Sequence, residues 1–438
     1  MVKKSLFICQ QCGNEESKWF GKCPECGEWG TLVETVVSTK TQNSKFKVQS
    51  GKNKPISLAS VARKRTSRIS TRISELDRVL GGGLVSGQVT LIAGEPGIGK
   101  STILLQLAEK LGNVLYASGE ESVAQIKIRA DRLGVREKTI RVMEETDIDT
   151  IINTIFSLQG PSLKAVVVDS IQTMVTSDLS GMAGSVGQVR ECAYRLVKFA
   201  KSNNTPVFIA GHVTKGGTIA GPSVLMHIVD TVLWFEGEKS LTLRVLRAVK
   251  NRFGPTDEVG IFSMEDKGLK PVSTPEKAFL TKGGKKVAGY MVTSILEGTR
   301  PILTEIQSLV VPTKLAYPRR IAQGIDSKRL EVLLAVLQRR CGLPLYEYDC
   351  FINVAGGINI KNDPSVDLAV CLAITSAFYN KPLSRKTIAI GEVGLLGDIR
   401  GVIAQEKRVK EARRIGYSNI ITNKEVKYLQ QAIRTYLR

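Results

Sequence analysis

Long apolar runs are missing from this 438-residue chain. No stretch approaches the ~18 apolar residues that a membrane-crossing helix needs. Near the start, Leu6 to Ile8 is followed at once by Cys9 and Gln10, well short of the about 7–15 apolar residues of a secretory leader. The expected location is therefore the cytoplasm, where thiols stay reduced and paired cysteines point to metal or redox chemistry. Histidine is scarce, at 2 residues, so each one attracts notice. Acidic residues are absent from residues 40–72, which hold ten Lys or Arg. Otherwise the composition is that of a globular chain. A content of 42% hydrophobic and 24% charged residues, with 40 Gly and 15 Pro, excludes collagen, coiled coil and a fully disordered polymer. At ~100–200 residues per domain the length predicts two to four domains.

The chain carries 62 Lys and Arg against 41 Asp and Glu, a net charge of +21. Such an excess points to a polyanionic partner, either nucleic acid or an anionic membrane surface. It is unevenly spread. Residues 399–438 hold ten basic and three acidic residues, and the acid-free run at 40–72 holds another ten cations. Solubility alone would be served by mixed signs. Four regions follow: a cysteine cluster at 1–35, a flexible basic linker at 36–72, an alternation of apolar strands and helical stretches at 73–270, and a second α/β unit at 276–438. Pro271, Pro275 and the Gly/Lys-rich Lys282–Lys286 mark the last boundary.

Cys9-x2-Cys12 and Cys23-x2-Cys26 form two knuckles. A two-residue gap lets both thiolates of a tight turn face one ion, and two such turns complete a tetrahedron around Zn2+. So short a segment cannot build its own core, and metal would supply its folding energy. With all four positions filled, the site would be structural. Residues 1–39 contain four Lys and five Glu, which favours a protein partner for this head, or a part in coupling to DNA. Cys192, Cys341, Cys350 and Cys371 are scattered and read as packing residues.

Gly94-Glu95-Pro96-Gly97-Ile98-Gly99-Lys100-Ser101, with Thr102 behind it, fits G-x-x-x-x-G-K-[ST]. A strand at Val89–Ala93 precedes it and a helix at Thr102–Ala108 follows. That is the setting the phosphate-binding loop requires. Backbone N–H groups would close on ATP phosphates, Lys100 would reach the β- and γ-phosphates, and Ser101 would ligate Mg2+. The apolar run Ala165–Asp169 ends in a carboxylate suited to the same Mg2+. A third strand runs from Asn113 into Glu120 and Glu121. Glu120 is the favoured candidate to orient the attacking water, against the plainer reading of both acids as helix-start residues. His212 ends a fourth strand, either as a sensor of the γ-phosphate or as a hydrogen-bonded structural residue. His227 reads as structural.

These motifs, with Lys250-Asn251-Arg252-Phe253-Gly254 and the C-terminal α/β unit, resemble the bacterial RadA (Sms) family of DNA repair proteins over essentially the whole chain. The resemblance implies an α/β architecture. It comprises a RecA-like ATPase core, an N-terminal four-cysteine zinc finger and a C-terminal Lon-protease-like domain. It also implies a ring-shaped homo-oligomer, a hexamer in the family, acting with ATP, Mg2+ and Zn2+. Such rings move along single-stranded DNA, process branched recombination intermediates by branch migration or unwinding, and meet a strand-exchange recombinase. In that picture Lys250 and Arg252 reach the neighbouring subunit's nucleotide, as arginine fingers do. From residues alone they read as a solvated basic turn. Val213–Pro222, with Lys215, resembles the family's DNA-contacting loop. Ser180–Gln188, with Arg190 behind it, is a second candidate. Neither loop has aromatics for stacking, so phosphate contact is the expected mode.

A Lon-like unit raises a second function, an ATP-driven protease using a Ser–Lys dyad. Ser365 falls at the nucleophile's place. In ungapped register Glu406 takes the place of the base, and a slip of one residue brings Lys407 there. The dyad is therefore expected to be broken, with Ser365 starting a helix after Pro364. A non-motor nucleotide switch is the third reading. The basic linker predicts a steep fall in DNA affinity with salt, because each neutralised phosphate releases counterion. A titration of DNA binding between 50 and 200 mM salt checks this, and a flat response counts against the linker as a DNA grip.

Overall fold

A computed structural model describes residues 3–437, apart from 10, 39–67, 137, 159–162, 213–221, 238–242, 275, 277–279, 281–285, 358–359 and 361–362. The chain divides into two compact units, Met1–Ser273 and Thr274–Arg438. Most of the basic linker, and the loop containing Lys215, lie outside the described residues.

The first unit opens with β1 (Lys3–Cys9), β2 (Glu15–Glu16) and β3 (Leu32–Ser38), an antiparallel sheet in the order β2-β1-β3. Among the described residues its core cluster is Cys9, Cys23 and Leu32, with Ile8 also buried. Little apolar surface is removed from water here, so the cysteines must supply cohesion by binding metal.

The larger part of this unit runs α1 (Ser74–Leu80), β4 (Val89–Gly94), α2 (Lys100–Leu111), β5 (Val114–Ser118), α3 (Val123–Leu133), β6 (Arg141–Glu144), α4 (Ile148–Ser157), β7 (Ala165–Asp169), α5 (Val186–Asn203), β8 (Val207–His212), α6 (Pro222–Ile228), β9 (Thr231–Glu236), β10 (Leu243–Asn251), β11 (Val259–Glu265) and β12 (Gly268–Pro271). Nine strands form one sheet in the order β12-β11-β10-β9-β4-β8-β7-β5-β6. From β9 to β6 the pairing is parallel, and from β9 to β12 it is antiparallel. The central strands are continuous apolar runs because helices cover both faces. Alternation along β4 divides the two cores: Ile92 packs with Leu76, Leu104 and Phe235, while Val89, Leu91 and Ala93 pack with Val168, Leu196 and Ile209.

The described end of the acid-free run, residues 68–72, packs into this fold. Arg68 donates to the carbonyls of Leu80 (3.0 Å), Gly83 (2.8 Å) and Phe253. Ile69 bridges to Leu84. Thr71 is buried, and its N–H and hydroxyl both donate to Asp77. These five residues are thus an arm of the nine-stranded fold.

The second unit contains β13 (Tyr290–Glu297), β14 (Arg300–Pro312), β15 (Arg320–Gln323), α7 (Ser327–Cys341), β16 (Tyr348–Val354), α8 (Asp367–Tyr379), β17 (Thr387–Ala389), β18 (Glu392–Val393), β19 (Ile399–Arg400), α9 (Gln405–Ile415), β20 (Asn419–Ile421) and α10 (Leu429–Leu437). Six strands pair in the order β15-β16-β14-β13-β17-β20, and β18 and β19 form a separate ribbon. Every residue from Asp367 to Ser376 is buried, as expected for a helix that is apolar all round. Among the described residues no helix is long and apolar enough to cross a membrane.

Candidate nucleotide and metal sites

Parallel pairing sets the nucleotide site. Gly94 pairs with His212, and Ser118 with Asp169. Their strands therefore end side by side, at the sheet edge where open α/β folds bind ligands. The loop from Gly94 turns through Gly97 (φ 78°) and Gly99 (φ 117°), a backbone region in which side chains are strained. It delivers the chain into α2, whose first residue is Lys100.

Lys100 is buried, and its Nζ donates to the carbonyls of Gly94 (2.9 Å) and Glu95 (3.0 Å). It also lies 3.1 Å from Nδ1 of His212. An ammonium can only donate, so Nδ1 accepts and the imidazole proton sits on Nε2. That Nε2 is 3.1 Å from Oε1 of Glu120 and donates to it. Ser170 donates its hydroxyl to the same oxygen. One chain of hydrogen bonds thus runs from Lys100 through His212 to Glu120 and Ser170. The bond from His212, then those from Ser170 and the Lys100 charge, hold the Glu120 carboxyl at about 2 against its burial. Burial pulls Lys100 down to about 8, against the charges of Asp169 and Glu120.

Asp169 is buried and accepts a 2.6 Å hydrogen bond from the Tyr116 hydroxyl. Burial and the Asp169 charge push that hydroxyl well above its usual pKa, so it remains a donor. Sequence reasoning missed Tyr116 and Ser170. Their only signals were a hydroxyl-bearing aromatic within an apolar strand and a serine directly after Asp169. Glu121 is separated from this group and pairs with Arg129. The helix start is Ser122, whose hydroxyl accepts from Gln125 N while Gln125 bonds back. Neither acid is the cap.

The Lys250–Gly254 stretch lies elsewhere. Asn251 pairs with Thr231 at the start of β9, level with Thr90, whereas Gly94 pairs with Phe235 near the other end. Four residues of strand, ~13 Å at 3.3 Å each, separate the two levels. Lys250 donates to the carbonyls of Met226 (2.6 Å), Val229 (2.8 Å) and His227 (3.3 Å), closing the end of α6. Arg252 is 52% exposed and reaches Asp230 at 3.3 Å. Asn251 holds the turn through Phe253 N (3.1 Å). A Cβ on Gly254 would lie 3.1 Å from the Leu80 carbonyl oxygen and 2.8 Å from Asn251 Nδ2.

Arg190 is exposed on α5, with its guanidinium beside Gly13. Gln188 is buried and donates to the carbonyls of Leu179 (2.8 Å) and Thr176 (3.2 Å), so it braces the 180–188 loop instead of facing DNA.

In the small N-terminal sheet, the sulfurs of Cys9, Cys12, Cys23 and Cys26 all lie within 4.8 Å of one another, with Cys9–Cys26 and Cys12–Cys23 at 3.6 Å. A tetrahedron with Zn–S bonds of 2.3 Å has edges of about 3.8 Å. Matching turns, Gly13 N to Cys9 O and Gly27 N to Cys23 O (both 2.9 Å), build the two knuckles. The donor set and its spacing fit Zn2+. The remaining cysteines, Cys192, Cys341, Cys350 and Cys371, are buried.

In the second unit an arginine faces Ser365. Ser365 is buried, donates to the Ser294 carbonyl (3.0 Å), and accepts from Arg408 Nη1 (2.7 Å). Arg408 also grips Asp363 (2.9 and 3.2 Å). Glu406 and Lys407 are exposed. The register expectation is thus corrected by one or two residues, since α9 turns position 408 inward. A guanidinium stays protonated and cannot serve as base, so among the described residues the serine has no activating partner there. Asp363 caps the turn by accepting from Ser365 N (3.1 Å), with Pro364 as its first residue.

Comparisons with known proteins agree with this layout. Residues 7–34 match a rubredoxin metal binding domain, 57–218 an AAA domain, and 325–426 the subunit ChlI of Mg-chelatase. The DNA repair protein RadA of Bacillus subtilis is 49% identical over 95% of this chain and 92% of its own length. The RadA proteins of Halalkalibacterium halodurans and Listeria monocytogenes are each 46% identical over 96% of this chain and 92% of theirs. The chain belongs to the RadA family of DNA repair proteins. As a RadA protein with an AAA domain, it is an ATP-hydrolysing enzyme, with a zinc ribbon at one end and a Lon-like domain at the other.

Two outcomes follow for this RadA protein. Lys100→Met abolishes ATP turnover, by at least about 100-fold on the scale of a lost transition-state donor. The thermal midpoint at pH 7 does not fall, because the variant removes a buried ammonium. That relief shrinks as pH rises from about 8 towards the ordinary lysine value of 10.5, where the folded-state penalty disappears. ATPase assays and thermal melts across pH check both halves. Arg408→Ala leaves Asp363 and Ser365 without their shared partner and costs about 3–5 kcal/mol of stability in the second unit, read by denaturant unfolding.

Proposed function

We propose that this chain is a DNA-dependent ATPase and ring-shaped motor of recombination and repair. It translocates on single-stranded DNA in the cytoplasm and processes branched intermediates by branch migration or unwinding. The observation that carries this reading is the separation of two charge groups. Lys100, His212, Glu120 and Asp169 converge at one end of the sheet, while Lys250 and Arg252 stand at the other. A cation at that far end is out of reach of its own nucleotide, yet Arg252 is exposed and available to a neighbour. A closed ring of identical subunits, hexameric in the resembling family, supplies such neighbours.

Each residue then has a task. Lys100 exchanges its loop carbonyls and His212 for the β- and γ-phosphates of ATP. Ser101 and Asp169 would hold Mg2+, which neutralises phosphate charge when bound, and Tyr116 keeps Asp169 in place. Glu120, ionised throughout the working pH range, orients the attacking water. His212 couples the two, because the ring nitrogen that touches Lys100 faces the phosphate once Lys100 has moved. Arg252, with Lys250, adds positive charge from the adjacent subunit as the phosphoryl group transfers. Lys215 and Arg190 are the candidate phosphate contacts on DNA, and a strand-exchange recombinase is the expected protein partner. Among the described residues the protease reading has no base beside Ser365, so the Lon-like unit serves as a scaffold with a basic surface.

Arg252→Ala is the test. It lowers DNA-stimulated ATPase by at least about tenfold while leaving nucleotide binding intact. Mixing it with Lys100→Met subunits restores part of the activity, because one of the two kinds of mixed interface pairs an intact loop with an intact arginine. Loss of activity with no recovery on mixing, in rings of unchanged size, overturns the trans assignment.

A further inference from the structure

The zinc ribbon exposes more aromatic surface than its function as described can explain. Trp19 is 60% exposed, Trp29 74% and Phe20 46%. Both indoles flank Gly21, where a Cβ would lie 3.5 Å from Trp29 and 3.6 Å from Trp19. The arrangement is built, since Gly30 N donates to the Gly21 carbonyl at 2.8 Å and Lys22 forms a bridge pair with Trp29. Lys22 Nζ stands 6.0 Å from the Trp29 ring centroid. The knuckle Cys23–Cys26 is the turn that joins these two short segments, so metal binding rigidifies the pair.

We infer that Trp19, Trp29 and Phe20 form a stacking platform for unpaired bases of single-stranded DNA. Three observations favour bases over a protein surface. The exposed apolar groups are flat rings, and the stretch Ser17–Pro24 that carries two of them holds Lys18 and Lys22 and no acid. Residues 40–72, next in the sequence, hold ten cations and no acid, a charge that suits the phosphates of the same strand. Cations beside exposed rings are the pattern of non-specific single-strand binding, where each base offers a π-face and the backbone is held by charge. The overall charge balance of residues 1–39 favoured a protein partner. Around Trp19 and Phe20 the local grouping of rings and lysines outweighs it, while Trp29 adjoins Glu28 in sequence and Lys22 across the bridge pair.

The inference rests on DNA as the partner and has its own readout. The chain contains three tryptophans, and the third, Trp234, lies in β9. In full-length Trp234→Phe protein all indole fluorescence therefore comes from the ribbon. Titration with an oligo-dT strand, without nucleotide, quenches it. An abasic sugar-phosphate strand of the same length, bound to saturation by anisotropy, does not. Trp29→Leu, which keeps apolar bulk without a π-face, weakens oligo-dT binding about tenfold, while Trp29→Phe retains most of it. One zinc per chain in each variant verifies the fold. Equal quenching by both strands, or unchanged binding by Trp29→Leu, overturns the platform and leaves the patch to a protein partner. DNA-stimulated ATPase measured on the same samples separates the two readings. Stimulation without quenching removes the platform and leaves the motor standing.

Discussion

The in-register parallel pairing of β4, β8 and β7 is the constraint on which the nucleotide site depends. Gly94 beside His212 and Ser118 beside Asp169, with Val168 level with Ile209, bring four strand ends to the same end of the sheet, two of them two residues short of the others, and the side chains beyond them meet there. A slip of one residue in β8 would turn His212 to the other face of the sheet and break the bridge between Lys100 and Glu120. Register here is strongly specified, since both faces of these strands are buried in separate apolar cores.

The same pairing explains why one charged group can be assembled and another kept apart. Lys100 tolerates burial because its neighbours are carbonyl oxygens, an imidazole nitrogen and two carboxylates. Glu120 stays ionised because three groups donate or hold positive charge towards it. The antiparallel extension from β9 to β10 runs the other way and carries Lys250 and Arg252 to the far edge. Chain direction alone produces the separation that the ring reading rests on.

In the second unit one buried arginine is held by full pairing. Arg408 is buried with Ser365, Ser294 and Asp363, and its nitrogens find acceptors in all three. Where the Lon resemblance expects a nucleophile there stands a structural ion pair, with the serine's proton directed at a carbonyl. The zinc ribbon solves the opposite problem: it has almost no core, and four thiols substitute for one.

Much of this was legible in the chain itself. Cysteine spacing, the glycine-rich loop and the apolar runs ending in Asp169 and His212 are local patterns, and local physics sets them: tight turns, left-handed glycines and strands covered on both faces. The +21 charge was legible too, although the structure reassigned its edge, with Arg68 to Arg72 folding into the ATPase. What sequence could not decide was which side chains meet across the sheet. That Glu120 bonds His212 while Glu121 pairs with Arg129, the tautomer of His212, Tyr116 behind Asp169, and Arg408 in place of Glu406 or Lys407 all depend on contacts that sequence spacing does not give, or on the turn of a helix by one residue. Periodicity is a one-dimensional property, and these outcomes were settled by strand order, register and packing, which exist only in the folded chain.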